Sequence, residues 1–177
     1  MSSGPSTNGQ RADIGASGEP HLEERGERTY VAIPTVVSLD GESAVIPTLL
    51  GEVTAWMTEH GIDPTGAPFV RYRVIDMPAR MEIDVGFPVD APVATEGRVR
   101  SAQLPAGSYA VAVHTGALEE LVEANAALRA WGDDRGLAWA TAESDRGTVW
   151  DARTETYLTD PDDGSAVQRV EIAYLAR

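Results

Sequence analysis

The chain has 177 residues, 42% of them hydrophobic, enough to bury a real core as one ordinary domain or as two small fused repeats. Its 28 acidic residues outweigh 14 basic ones, all arginine, for a net charge of −14, which disfavours phosphate backbones and anionic lipid and leaves neutral or cationic ligands. Cysteine is absent, which excludes disulfides, thiolate nucleophiles and cysteine-built zinc sites, and His21, His60 and His114 lack metal-ligand spacing, so no metal or cofactor is expected.

Residues 1–28, above all the Ser- and Gly-rich first 24, show neither alternation nor helical periodicity and read as a disordered tail. No signal-peptide pattern and no apolar run of about 18 residues appears, so the expectation is a cytoplasmic chain without a membrane partner. From Thr29 the run TYVAIPTVV is β-branched and apolar and reads as a strand. A helix follows near residues 44–60, with Ile46, Leu49, Leu50, Val53 and Met57 on one stripe. Pro47 suits only a first turn, so the regular helix is expected to start close to it, and Gly61 and Pro64 end it. APFVRYRVID and RMEIDVGFPV read as two strands joined by a turn at Met77-Pro78-Ala79.

The same order then returns. GRVRSAQLPAGSYAVAVHTG supplies strands with a bend at Pro105-Ala106-Gly107. A helix over residues 117–134 buries Leu118, Leu121, Val122, Asn125 and Leu128, and Gly136 caps it. TVWDARTETYL and AVQRVEIAYLA are the last strands, linked by the turn signal DPDDGS. The fold class is therefore α+β, with two pseudo-symmetric strand–helix–strand–strand repeats at about 29–91 and 98–177 forming one domain over residues 29–177. Both helices are expected on one side of a combined sheet, with the opposite face and the seam between halves free for a ligand.

Period-2 alternation in VWDARTETYL puts Val149, Asp151, Arg153, Glu155 and Tyr157 on one face. A plain wet face, with Arg153 pairing Glu155 for little net energy, fits that pattern better than a pocket does. In an aromatic-lined cleft a carboxylate would instead attract a cationic ligand, helped by stacking and cation–π contacts. Phe69, Tyr72, Phe87, Tyr109, Trp150, Tyr157 and Tyr174 are the candidate lining, and Glu171, matched in its repeat by Glu82, is the second acidic candidate. Trp56 and Trp131 read as core. No GxSxG, P-loop, GxGxxG, helix-turn-helix or basic stripe is present, so no nucleic-acid partner is expected of the chain by itself.

Several stretches together resemble the GyrI-like small-molecule-binding domain, which also serves as effector domain in AraC-type and MerR-type multidrug regulators. They are IPTLLGEVTAWMTEHGIDPTGAPFVRYRVID, MEIDVGFPV, LPAGSYAVAVHTG, and the stretch from HTGALEELVEANAALRAW through WDARTETYLTDP to VEIAYLAR. The resemblance runs from Thr29 to the C-terminus. It implies a duplication of the SHS2 type with a ligand cleft between halves and an acidic residue in that cleft, which by position is Glu155 with Tyr157 beside it. The chain departs from the family's pattern at Gln168 and at Asn125, where relatives often carry aromatic residues. Some stand-alone members are similar to hydrolases of cyclopropane-bearing alkylating natural products, and others resemble binders of DNA gyrase. The first expectation is thus a binder of an aromatic or cationic small molecule, for detoxification or self-resistance. The second is a hydrolase in which Glu155 acts as general acid or base and Tyr157 or Tyr72 donates a hydrogen bond to developing charge. Gyrase inhibition ranks last, because no protein-binding surface stands out.

Overall fold

The computed structural model describes residues 18–38, 40–76, 80–160 and 166–177, the side chains of Glu42 and Ser43 excepted. The expected turn at 77–79 and most of the DPDDGS link lie outside the described residues. In chain order the elements are β1 (His21–Arg25), β2 (Arg28–Val37), α1 (Glu42–Glu59), β3 (Phe69–Asp76), β4 (Arg80–Val89), β5 (Arg100–Leu104) and β6 (Gly107–Gly116). A 3-10 turn (Leu118–Glu120) then leads into α2 (Leu121–Asp134), and β7 (Thr141–Ser144), β8 (Gly147–Trp150), β9 (Arg153–Tyr157) and β10 (Gln168–Leu175) complete the chain.

The strands form one antiparallel sheet in the order β1-β6-β10-β9-β3-β4-β2-β5, with the β7–β8 hairpin branching from β3. The fold is α+β, as the alternation of strand and helix patterns implied. No helix among the described residues is long and apolar enough to cross a membrane.

Alternation along the strands gives the sheet two apolar faces, and each is covered differently. Both helices lie on one face. α1 packs Ile46, Leu49, Val53 and Met57 onto Val31, Ile33, Ile83 and Val85 of β2 and β4. Each such side chain, buried in full, contributes about 1.5–3 kcal/mol relative to exposure. α2 sets Leu128 against Ala110 and Ala112 of β6 and Ile172 and Tyr174 of β10. On the other face Tyr30, Phe69, Tyr109, Val111, Ala173 and Leu175 close on one another in a separate core. That second core corrects the expectation that the face away from the helices is free for a ligand: its side chains are already spent on packing.

Three further expectations change. The tail expected over residues 1–28 gives way to structure by His21, where β1 pairs along β6 from His21↔Val111 to Arg25↔Gly107. A polar edge strand of this kind is held by backbone bonds, which leave no hydrophobic period to read. The first helix starts at Glu42, ahead of Pro47, which sits inside it. Last, the strand expected over TVWDARTETYL is two strands, β8 and β9, with Asp151 and Ala152 between them.

That break has a cause in β3. Its first residues pair with β9 (Phe69↔Thr156, Val70↔Glu155, Arg71↔Thr154), and after an irregularity between Tyr72 and Val74 it pairs with β8 (Val74↔Val149, Ile75↔Thr148). The chain must step from one ladder to the other, and two hydrogen bonds to the Asp151 backbone fix the step. Asp151 N–H donates to Ala140 O at 2.9 Å, and Arg71 Nη2 donates to Asp151 O at 2.8 Å. Gly147, with φ +122, begins β8; a Cβ there would lie 2.5 Å from Ile75 O, so only glycine lets the hairpin approach β3 this closely.

Candidate functional site

The β3–β9 seam carries a cavity of 720 Å³ on its helix-covered face, a size ordinary for small-molecule sites. Ile46 and Pro47 of α1 form one wall, and Leu118, Leu121 and Val122 of the α2 segment form another. Tyr72, Trp150, Arg153, Glu155 and Tyr157 supply the sheet side. Leu118 and Val122 stay 37% and 54% exposed. The apolar stripe of the second helix therefore faces the cavity there, instead of being buried as its periodicity suggested.

Glu155 is 5% exposed, set between its strand partners Val70 and Ile172, which are themselves fully buried. A carboxylate in such surroundings needs donors at both oxygens. Tyr72 OH donates to Oε1 at 2.5 Å, and Asn125 Nδ2 donates to Oε2 at 2.8 Å. Asn125 also donates to Leu121 O at 2.8 Å, and its Oδ1 accepts from Tyr174 OH. Burial pushes the Tyr174 phenol up to about 12, against the pull of Arg153 and Arg129 and with a further push from Glu155. The result is a chain of neutral donors, Tyr174–Asn125 and Tyr72, that fixes the orientation of one buried carboxylate.

Arg153 stands two residues before Glu155 on the same strand face, yet no ion pair joins them among the described residues. Its guanidinium instead lies over three rings, 4.8 Å from the Tyr174 centroid, 4.9 Å from Trp150 and 5.7 Å from Tyr72. Trp150 and Tyr174 are 5.1 Å apart, and Trp139 closes on both from behind. Trp139 can reach them because Gly132 of α2 has no side chain; a Cβ there would meet its ring at 2.3 Å. Exposed Asp76, Glu119 and Glu143 add negative charge to the cavity wall, and exposed Arg129 adds one positive charge.

Of the residues expected from sequence, Glu155, Tyr157, Tyr72 and Trp150 line this cavity, and Tyr174 supports it through Asn125 and Arg153. Trp150 joins the Glu155 face because the step at Asp151-Ala152 shifts the alternation. Phe69, Tyr109 and Glu171 do not line it. They point to the other face, where Phe69 meets the Tyr30 ring at 5.1 Å, Tyr109 donates to Pro105 O at 2.6 Å, and Glu171 pairs with Arg25 of β1 at 2.9 Å. Phe87 packs against the α1 core outside the cavity. Glu82, the repeat counterpart of Glu171, is bound by Arg146 at 2.7 Å. Sequence reasoning missed Asn125 as a site residue, although a buried polar residue in a helix stripe is the kind of exception that signals a partner. Among the described residues no cluster of His, Asp and Glu is arranged to hold a metal ion.

The model of the GyrI-like small-molecule-binding domain matches residues 18–172. The chain belongs to that family. This GyrI-like domain is similar in fold to EcmrR in its DNA complex (17% identity, TM-score 0.70), covering 91% of the present chain but only 58% of the EcmrR chain. Against the isolated EcmrR C-terminal domain the values are 18% and 0.68, with 90% and 98% covered. A hydrolase from Listeria innocua (15%, TM-score 0.61; 91% and 93% covered) and SAV2435 bound to tetraphenylphosphonium (14%, 0.56; 90% and 94%) share the fold as well. None of the curated proteins matches the chain in sequence.

Proposed function

We propose that the domain binds an aromatic, cationic small molecule in the seam cavity, with Glu155 as the anionic anchor, in a detoxifying or self-protecting role. One observation carries this reading: a nearly fully buried carboxylate faces an open cavity of ligand size among Tyr72, Trp150 and Tyr157. The acidic residues on the cavity wall and the net charge of −14 favour the same ligand class. SAV2435, of like fold, was solved with a lipophilic cation, which supports the reading. The order β2-β4-β3 on one side of the seam and β9-β10-β6 on the other supports residues 29–91 and 98–177 as two copies of one strand–helix–strand–strand unit. The cavity then lies where the copies meet.

The test is a fluorescence titration with rhodamine 123, a planar aromatic cation. Saturable one-to-one binding is expected, with Glu155→Gln weakening it by at least about tenfold, since a unit charge about 4 Å away at an effective dielectric near 20 is worth up to about 4 kcal/mol before desolvation offsets part of it. An unchanged affinity in the variant, or no binding by the wild type, would sink the proposal.

A second reading, ring opening of a strained cyclopropanoid, rests on the 2.5 Å contact between Glu155 and Tyr72, which sets an acid–base pair on the cavity floor. Mass spectrometry of a cyclopropanoid incubated with the protein tests it. Ring-opened product that forms at full rate with Glu155→Gln would remove Glu155 from the chemistry.

A further inference from the structure

The cavity holds a second charge that the reading above leaves without a task. A guanidinium carries five N–H donors in a planar fork. In Arg153 none of them has a hydrogen-bond acceptor among the described residues, and Nε is buried without one. Three other guanidiniums on the sheet do have acceptors: Arg71 donates to Tyr30, Gln103 O and Asp151 O although its Nε is also buried without one, Arg73 donates to Asp84, and Arg25 to Glu23 and Glu171. Arg153 is held only by the faces of Tyr72, Trp150 and Tyr174, which orient a cation without using its N–H groups. The nearest acid along the strand face, Glu155, already has both oxygens engaged by Tyr72 and Asn125. The fork is therefore positioned at the wall of a cavity with no acceptor from the protein among the described residues.

We infer that Arg153 is a specificity residue that receives an oxygen acceptor of the ligand, so that the ligand class is an aromatic cation bearing a carboxylate or, more weakly, a carbonyl. This rests on the binding proposed above and narrows it. The ligand's cationic ring system lies toward Glu155 and the acidic cavity wall, and its oxygen meets the guanidinium edge while the rings back the guanidinium face. A carboxylate matches the fork with two parallel bonds, which a lone cation cannot offer. A simple cation would instead meet Arg153 as a like charge.

Rhodamine 110 and rhodamine 123 share one cationic chromophore and differ in a free carboxylate against a methyl ester, so they separate the two contributions at pH 7.5. The wild type is expected to bind rhodamine 110 the more tightly. Arg153→Met keeps an apolar stem on the rings and should weaken rhodamine 110 by about tenfold to hundredfold while leaving rhodamine 123 unchanged or tighter, reversing the preference. Arg153→Lys, which keeps charge but loses the fork, should fall between. Thermal melts of each variant report folding, and a lowered melt with an unaltered dye preference would show a purely structural arginine and overturn the inference. Equal weakening of both dyes would overturn it too. If the wild type binds rhodamine 123 but shows no preference for rhodamine 110, only this inference fails; if it does not bind rhodamine 123, the binding proposal fails and takes this inference with it.

Discussion

Asn125→Leu separates the support of the site from the site itself. The change nearly conserves volume and removes three hydrogen bonds from a side chain that is 7% exposed. The bond to the Glu155 carboxylate is of the charged kind, costing about 1.5–3 kcal/mol when lost, and the bond from Tyr174 about 1 kcal/mol. Burying leucine in place of the amide returns about 1 kcal/mol. The net loss is about 1.5–3 kcal/mol, or a melting temperature lower by roughly 3–12 °C for a domain of this size. Urea denaturation followed by circular dichroism measures it directly. Tyr174→Phe alone should cost about 1 kcal/mol, and the two changes together should cost less than their sum, because both remove the Tyr174–Asn125 bond. A loss for Asn125→Leu below about 0.5 kcal/mol would refute the claim that this network holds the carboxylate in place.

Stability should also fall in alkali. The phenol of Tyr174 is raised from 10.0 to about 12 by burial, and Tyr30, buried beside Asp84, is raised as well. The folded state keeps protons that the unfolded chain releases above pH 10, so this contribution is whole below pH 10 and is lost as pH climbs toward 12. Denaturation midpoints between pH 8.5 and 11.5 should show the decline, flattened in Tyr174→Phe; an identical slope in that variant would place the hydroxyl outside the buried network. Deleting residues 1–26 should lower stability by about 1–3 kcal/mol and promote self-association, since it bares the β6 edge and removes the Arg25–Glu171 pair. Full stability of the truncated chain would mean that β1 is not part of the domain. Tyr72→Phe keeps a ring beneath Arg153 but takes one donor from Glu155, so rhodamine 123 affinity should drop severalfold with little change in far-ultraviolet dichroism. An affinity equal to wild type would show that Tyr72 does not orient the acid.

Element types were legible because the periods are strong: Ile46 through Met57 and Leu118 through Leu128 mark helices, and FVRYRVID and MEIDVGF mark strands. What periodicity could not show is where a ladder changes partner. Val149 through Leu158 alternates as one strand in the sequence, and only the β3 irregularity shows why it must break at Asp151. The same limit explains the misplaced aromatics. Phe69 and Tyr72 stand three apart on one strand and so take opposite faces, and Glu171 alternates with Ile172 and Tyr174, which the α2 core claims. A list of aromatic residues ignores that parity. β1 lacked any apolar signal, because its binding to β6 is backbone pairing along HLEER.

The chemistry of the site follows from which partners each charge has been given. Arg153 and Glu155, two apart on one face, are the natural ion pair of β9, and a direct pair would cancel both charges at the cavity wall. The fold prevents this by supplying neutral alternatives: hydroxyl and amide donors for the carboxylate, ring faces for the guanidinium. Neutral donors orient an acid without discharging it, and π faces hold a cation without consuming its N–H groups. Both charges thus stay available to a third party, a few ångströms apart and in a medium where each is worth more than in water. A sheet that needed only stability would have paired them. The fold instead holds them apart and leaves Arg153 Nε buried without an acceptor among the described residues, the arrangement on which the proposed ligand site rests.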